Sequence, residues 1–331
     1  MPATAMDPSL AAFIATVLTP WKLAAAPVEL MRQQNGEHLR VRVTLPSGQV
    51  ALLRERPAHI TLADWRMHSH LLGHADWLPD GVPQVLSTDR GATTVHVDDR
   101  DFSLQTWQPG EPESTLAAVD TVSAARLLGG ISSWTQATPP EDMPNRRTAI
   151  CSDTSTFLPG LSTPRDPERD LGGLLGLLFA ENSPGDPVVV HGDPHIYNFL
   201  WDKGKATALC DWDDVHLNSP AWDLAYFLTH ITFIHWPAHD PTGLTNEARM
   251  RDRVDIRQTD AIVRAYREGM ERPWPRACGW RHALLRSLAV TLRLTVSRQR
   301  IMETDLRRTM QLARWIADAP EVDDWLLLLT T

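Results

Sequence analysis

The chain has 331 residues, of which 43% are hydrophobic and 22% charged, and carries a net charge of −9. That length and composition suit a soluble globular chain with room for a sizeable core, and the acidity argues against a general nucleic-acid binder, which presents a basic face. Its three cysteines, Cys151, Cys210 and Cys278, are too few and too scattered for a disulfide framework or a cysteine zinc site, so a reducing, cytoplasmic setting is expected, and no apolar run reaches the length of a membrane span.

Asp7-Pro8-Ser9 reads as a helix start, with Asp7 as cap and Pro8 in the first turn. The apolar stretch Leu10–Leu18 is then an amphipathic helix; it lacks the basic lead-in and cleavage site of a secretory leader. From Pro27 to Pro57 the pattern predicts three strands, Val28–Arg32, His38–Leu45 and Val50–Arg54, joined by turns at Gln33-Gln34-Asn35-Gly36 and Pro46-Ser47-Gly48. A helix is expected at Thr61–Leu72, followed by strands at Pro83–Leu86 and Thr93–Val97, an exposed turn at Asp98–Asp101, and a strand at Phe102–Trp107. The Pro/Gly-rich run Gln108-Pro109-Gly110-Glu111-Pro112 is the strongest boundary signal, dividing the chain into 1–108 and 109–331.

Beyond that boundary, apolar residues at helical spacing predict a helix at Ser114–Thr135. A Pro/Thr/Ser-rich loop, Ala137–Pro167, and an apolar helix, Glu168–Ala180, come next. Val188-Val189-Val190 is a short buried strand that delivers Asp193 to a loop, and Pro194 disfavours a helical backbone at Asp193. Phe199–Trp201 and Thr207–Cys210 form a hairpin about Asp202-Lys203-Gly204-Lys205, whose two ends meet. Asn198 and Asp211 therefore become neighbours beside Asp193. Ser219-Pro220-Ala221-Trp222-Asp223-Leu224-Ala225 opens another helix; after a loop at Trp236–Thr245, helices are expected at Asn246–Met270, Trp280–Arg300, Asp305–Asp318 and Val322–Leu329.

Phosphoryl transfer asks for such a trio: a carboxylate to orient the attacking hydroxyl and take its proton, and oxygen ligands for Mg²⁺ on the nucleotide phosphates. The Asp-x-x-x-x-Asn spacing of Asp193 and Asn198 is that of the protein-kinase catalytic loop. With His191-Gly192-Asp193 in front, His195 inside and Asp211-Trp212-Asp213 behind, the strip resembles the aminoglycoside phosphotransferase and choline kinase family. The resemblance implies an α+β, bilobal protein-kinase-like fold. A small antiparallel β-sheet lobe with one helix, plus the N-terminal helix, would bind nucleotide over 1–108; a larger, mainly helical lobe over 109–331 would hold catalysis and substrate. By the same resemblance Asp193 is the catalytic residue, Asn198 and Asp211 hold Mg²⁺, and Asp223, in a Pro-x-x-Asp-Leu-Ala pattern, braces the catalytic loop. His191 and His195 are supporting residues, as is Asp213, which is also a secondary candidate for metal or substrate contact.

On the nucleotide side, the resemblance puts Gly36 in the turn over the phosphates and the purine-holding hinge within Leu104–Gln108, with Trp107 at the nucleotide. The third strand should end in a lysine, but lysine occurs only at Lys22, Lys203 and Lys205, so Arg54 takes that place. The following helix should supply a glutamate partner; residues 57–100 hold none, and Asp64 is the sole acid early in the helix. A shorter Arg–Asp pair and an offset helix both stay open.

The implied activity is transfer of the γ-phosphate of ATP or GTP to a hydroxyl of an antibiotic or related natural product. A primary-metabolite acceptor (amino alcohol, sugar or homoserine-like) is an alternative, as is a catalytically silent ligand-binding protein on the same fold. The partners are a nucleotide and a small hydroxyl substrate, with no nucleic acid and no membrane. Trp236, Trp274 and Trp280 are candidates for stacking on a sugar ring. Asp240, Glu247, Asp252 and Asp255 could meet substrate amines, although Arg249, Arg251, Arg253 and Arg257 interleave with them as on a solvated helix face.

Overall fold

Period-two alternation of apolar side chains, in strands separated by tight turns, builds the first part of the molecule, and amphipathic helices around a short hairpin build the second. The computed structural model describes residues 6–31, 38–73, 78–113, 119–137, 187–231 and 256–271. Gly36, the 137–167 loop and 168–180 helix beyond Ala137, the 236–245 loop with Trp236, and everything expected beyond residue 271, Trp274 and Trp280 included, lie outside these residues. So do Asp240, Glu247, Asp252 and Asp255. The chain divides into two units, Met1–Pro109 and Gly110–Thr331.

In the first unit, β1 (Val28–Leu30), β2 (Arg40–Thr44), β3 (Val50–Glu55), β4 (Val95–Val97) and β5 (Arg100–Thr106) form one five-stranded antiparallel sheet in the order β1-β2-β3-β5-β4. Alternation sends Val41, Val43, Ala51, Leu53 and Leu104 to one face. There they bury against Ile14, Val17 and Leu18 of α1 (Pro8–Leu18). Asp7 caps α1, its Oδ1 accepting from the N–H groups of Ser9 at 2.7 Å and Leu10 at 3.4 Å. Arg100 ties helix to sheet: its fork donates two 2.6 Å bonds to Glu55, and its guanidinium lies 4.9 Å from the centre of the Phe13 ring.

Helix α2 (Leu62–Gly73) buries Trp65, His68, Ser69 and Leu72, an i, i+3, i+4, i+7 stripe. Thr61 caps its start: the Asp64 N–H donates to Thr61 Oγ1 at 3.1 Å, and that hydroxyl donates to Asp64 Oδ2 at 2.9 Å.

Three expectations change here. The exposed turn is only Asp98-Asp99, both with positive φ (48° and 60°), and Asp101 is a buried strand residue at 4% exposure. Asp101 is matched by Arg56 Nε and His96 Nδ1, each at 2.9 Å, which is how a carboxylate is carried into a sheet. Pro83–Leu86 is not a full strand but a single bridge, Val85 with Gln105. The first strand stops at Leu30 rather than Arg32.

In the second unit, α3 (Thr121–Thr135) starts later than Ser114, because Asp120 caps it by accepting from Val122 and Ser123 at 3.0 and 3.1 Å. Two short strands unforeseen in the sequence appear. β6 (Glu111–Pro112) joins the hairpin β8 (Phe199–Asp202) and β9 (Lys205–Leu209), and β10 (His216–Asn218) pairs antiparallel with β7 (Val188–Val190). Helix α4 (Trp222–Thr229) is buried along its whole length, and α5 covers Ile256–Gly269, inside the expected 246–270 span. No helix among the described residues is long and apolar enough to cross a membrane.

Helices α3 and α5 approach to backbone contact. A Cβ on Gly129 would overlap the Tyr266 carbonyl, and one on Gly269 would overlap the Arg126 carbonyl. Gly129→Ala gains roughly 1 kcal/mol of helix propensity but forces the helices apart, an overpacking cost of about 1–3 kcal/mol. The variant should therefore be no more stable, and most often less stable, in urea unfolding; a raised midpoint would show that the helices separate at less cost than the propensity gained.

Candidate active site

The loop after β7 is shaped before any reactive group appears in it. Gly192 has φ +93°, and a Cβ there would collide with the Asp214 carbonyl, so this position takes glycine for both conformation and space. Asp223, in the first turn of α4, reaches back to the loop. Its Oδ2 accepts the His191 N–H at 2.9 Å and its Oδ1 accepts the Gly192 N–H at 3.0 Å, while Trp222 Nε1 donates to the Gly192 carbonyl at 3.1 Å. Two consecutive N–H groups and the carbonyl that follows them are thus held by two adjacent residues of one helix.

His191 links this loop to the end of β9. Its Nδ1 accepts from the Asp193 N–H at 3.3 Å, and its Nε2 lies 3.0 Å from the Cys210 carbonyl. Those two partners assign the tautomer: the proton sits on Nε2. Burial drives the imidazole pKa down to about 4, so the ring is neutral and acts as a fixed hydrogen-bond strut.

Asp193 opens a tight segment that folds back on itself. The His195 N–H donates to the Asp193 carbonyl and the Asn198 N–H to the His195 carbonyl, each at 2.9 Å, and a one-turn 3₁₀ helix over Ile196–Asn198 returns Asn198 to Asp193. There Asn198 Nδ2 donates to the Asp193 carbonyl at 2.8 Å and lies 3.4 Å from its Oδ2. The Cys210 N–H closes the hairpin on the Asn198 carbonyl at 2.7 Å, so Asp211 follows directly at the same end. Asp211 has φ 62° and ψ 59°, a left-handed conformation uncommon for a residue with a Cβ, though aspartate is among those that tolerate it. Asp213 sits in the next 3₁₀ turn, Trp212–Asp214, and is buried.

Burial would push the Asp193 carboxyl up. The His195 ring, with Nε2 at 3.3 Å from Oδ2, the Tyr226 hydroxyl and the His230 ring outweigh it and hold the group below the ordinary carboxylate value. Asp193 Oδ1 is buried and takes no hydrogen bond among the described residues. His230 stacks on Tyr226 at 4.5 Å, and its ring centre lies 5.4 Å from that of His195. Neither Tyr226 nor His230 is anticipated from the sequence motif. Their signal is helical spacing: 223, 226 and 230 are i, i+3 and i+7 on the α4 face that carries Asp223.

The first unit holds the remaining candidates. Arg54 is only 6% exposed, and its guanidinium carbon lies 5.5 Å from the centre of the Trp65 ring. Asp64, the acid considered for a short pair with it, has its carboxylate engaged by Thr61. The Trp107 N–H donates to the Val50 carbonyl at 3.1 Å, and the Arg42 guanidinium lies 5.5 Å from its ring. A purine edge can therefore meet Trp107 through its carbonyl or ring but not its amide.

The donor set suits a hard divalent cation. With Nδ2 of Asn198 turned to the Asp193 carbonyl, Oδ1 is the oxygen left to ligate, and Asp211 adds a carboxylate at the facing hairpin end. No group of three or more His, Cys, Asp or Glu side chains is arranged as a metal cage among the described residues. Mg²⁺ bound largely by water and phosphate oxygens asks the protein for only one or two oxygens.

Burial raises Asp223 to about 6 and lowers His191 to about 4. For Asp223 the associated stability is complete below its unfolded value of 3.8 and is lost as pH rises through about 6. For His191 it is complete above 6.5 and is lost as pH falls through about 4, so the two oppose each other between pH 4 and 6. Asp223→Asn removes one side of this balance and leaves an amide against one backbone N–H. Its cost relative to the parent chain should shrink as pH rises from 4 to 6, by at most about 1.4 kcal/mol per pH unit. Urea unfolding across that range checks this, and a cost independent of pH would show that folding leaves the Asp223 ionisation unperturbed.

A profile of the phosphotransferase enzyme family (APH) matches residues 33–280. No curated protein sequence matches the chain. Among solved structures, a thermostable form of aminoglycoside phosphotransferase APH(4)-Ia, in a ternary complex with ADP and hygromycin B, is similar at TM-score 0.59 and 15% identity, covering 94% of this chain and 99% of that one. The amicoumacin kinase hAmiN, in complex with AMP-PNP, Ca²⁺ and Ami, matches at TM-score 0.57 and 14% identity over 88% of each chain. The macrolide 2′-phosphotransferase MphH from Brachybacterium faecium matches at TM-score 0.50 and 18% identity, over 92% of this chain and 98% of that one. These likenesses establish the protein-kinase-like fold, and the profile covers well over half of the sequence. The chain thus belongs to the phosphotransferase enzyme family and is an enzyme that transfers a phosphoryl group to an alcohol acceptor.

Proposed function

We propose that the chain transfers the γ-phosphate of ATP or GTP to a hydroxyl of an antibiotic or related natural product. The observation that carries this reading is the closure of the β8–β9 hairpin on the Asp193 loop. It gathers a carboxylate, a carboxamide oxygen and the residue preceding a second turn, Asp211, at one point of the chain. The acceptor class is supported by the structural relatives, which include kinases of an aminoglycoside, a macrolide and amicoumacin, two of them solved with adenine nucleotides.

In this reading Asp193 orients the acceptor hydroxyl. A carboxylate held ionised is a weak base, so it takes the proton late, as the new P–O bond drains charge from the oxygen. A substrate hydroxyl is also the kind of donor that would pair the orphaned Oδ1 of Asp193. Asn198 and Asp211 would hold Mg²⁺, which when bound neutralises charge on the nucleotide phosphates. His191 and Asp223 keep the loop in register, His195 fixes the Asp193 carboxylate, and Asp213 supports the turn after Asp211. Arg54 supplies the phosphate-binding cation on β3, with a fork suited to two oxygens. Gly36 and Trp107 are the further nucleotide contacts, and the enzyme works as a cytoplasmic protein.

Screening Mg²⁺-dependent phosphate transfer from ATP and GTP across aminoglycosides, macrolides and small metabolites tests the acceptor. Transfer confined to primary metabolites would overturn the antibiotic assignment. With an accepted substrate in hand, Asp193→Asn should lower kcat on the order of 10²–10⁴-fold while leaving the nucleotide KM nearly unchanged; near-normal turnover would remove Asp193 from the chemistry. Asp211→Asn should raise the Mg²⁺ concentration for half-maximal rate by roughly tenfold or more, and an unaltered Mg²⁺ dependence would exclude it as a ligand.

A further inference from the structure

Asp211 stands in a turn that is fixed at both ends. At the entry, the Cys210 N–H donates to the Asn198 carbonyl at 2.7 Å, and His191 Nε2 meets the Cys210 carbonyl at 3.0 Å. At the exit, the Asp214 carbonyl lies so close to Gly192 that a Cβ there would overlap its oxygen, and His216 Nδ1 reaches the same oxygen at 2.5 Å. Between the two ends Asp211 keeps φ 62°, a conformation that a residue with a Cβ holds only where its surroundings impose it.

The side chain that holds the exit is a buried histidine whose proton can be placed. His216 is 2% exposed and Asn218 is fully buried. The Ser219 N–H can only donate, and it meets Asn218 Oδ1 at 2.8 Å, which leaves Asn218 Nδ2 as the atom 3.0 Å from His216 Nε2. Nε2 therefore accepts, and the ring proton sits on Nδ1, where it is donated to the Asp214 carbonyl. The rest of the setting belongs to the catalytic loop and the helix behind it. A Cβ on Gly192 would lie 3.0 Å from His216 Cε1, the Trp222 ring stands steeply to the imidazole with centres 6.1 Å apart, and the His216 backbone pairs with Val190.

We infer that His216 is a positioning residue for the metal: by donating to the Asp214 carbonyl it fixes the exit of the turn, and so the aim of the Asp211 carboxylate, in register with the Asp193 loop. This deepens the kinase reading and rests on Asp211 as a Mg²⁺ ligand. Asp223 and His191 hold the Asp193 loop by bonds of their own, so His216 can be exchanged with the catalytic carboxylate still in place.

The test compares His216→Asn, His216→Gln and His216→Leu with the parent, all in the full chain. Asparagine puts its amide nitrogen where Nδ1 stands and can still donate to the Asp214 carbonyl. Glutamine carries its polar end to the Nε2 position, toward Asn218 rather than Asp214, and leucine offers neither bond. Three quantities are measured on each: binding of Mn²⁺, as a stand-in for Mg²⁺, in the presence of AMP-PNP by paramagnetic resonance; the Mg²⁺ concentration for half-maximal nucleotide hydrolysis; and the melting midpoint without ligand. His216→Gln and His216→Leu should weaken Mn²⁺ binding and raise the half-maximal Mg²⁺ concentration by roughly tenfold, and saturating Mg²⁺ should return kcat to within about threefold of the parent. His216→Asn should recover most of the lost metal affinity. The inference is overturned if His216→Asn binds metal no better than His216→Gln, or if metal affinity simply follows the melting midpoints. Should His216→Leu fail to fold, the asparagine and glutamine variants still decide between these outcomes. A parent chain that neither binds Mn²⁺ with AMP-PNP nor needs Mg²⁺ would defeat the metal reading of Asp211, and this inference with it; a metal-dependent parent that is indifferent to His216 defeats the inference alone.

Discussion

Asp223 accepts the backbone N–H groups of His191 and Gly192 on its two oxygens, and the position of Asp193 follows from that contact. The group is 1% exposed, and burying a carboxylate is costly unless hydrogen bonds compensate it. Here the compensation comes from main-chain donors that a left-handed glycine turns toward one point. Burial still leaves the carboxyl raised to about 6, so some of the cost persists in the folded chain. A loop held this way cannot drift by a register position without exposing two buried amides and a carboxylate at once.

His191 does the complementary work. Where Asp223 binds the loop to α4, His191 binds it to the end of β9, as a neutral ring with one accepting and one donating nitrogen. Burial makes the two groups shift in opposite directions on the pH scale, each toward its uncharged form. The frame around Asp193 is consequently neutral or nearly so over much of the acid range. Asp193 itself keeps its charge through the neighbouring His195, Tyr226 and His230. That division fits phosphoryl transfer, where positioning and charge placement carry most of the catalysis.

The first unit handles buried charge by a different route. Glu55 with Arg100, and Asp101 with Arg56, are ion pairs close enough for strong hydrogen bonds, and His96 Nδ1 adds a further contact to Asp101. Arg54 also lies against the face of the Trp65 indole. Ion pairing suits charges whose task is to connect strands and helix.

Much of this was legible in the sequence, and the remainder had identifiable causes. Alternation along residues 40–44 and 50–55 is long enough to fix both the strands and the face each presents. The Asp7 cap marks α1, and the hairpin signal of residues 199–210 brings Asn198 and Asp211 to one end. β6 and β10, of two and three residues, are too short to show any period and exist only because partner strands pass beside them. Asp101 reads as part of a solvated acidic turn until Arg56, far along the chain, is folded against it. The partner that α2 offers Arg54, the use of the Trp107 amide within the sheet, and the gathering of Tyr226 and His230 near Asp193 likewise depend on residues distant in sequence. By itself, then, the sequence determined the local conformations, the sheet faces and the order of the reactive residues, because those follow from side-chain period, turn chemistry and spacing. Only the tertiary structure decided which partner holds each buried charge, because that depends on which distant groups share a desolvated space.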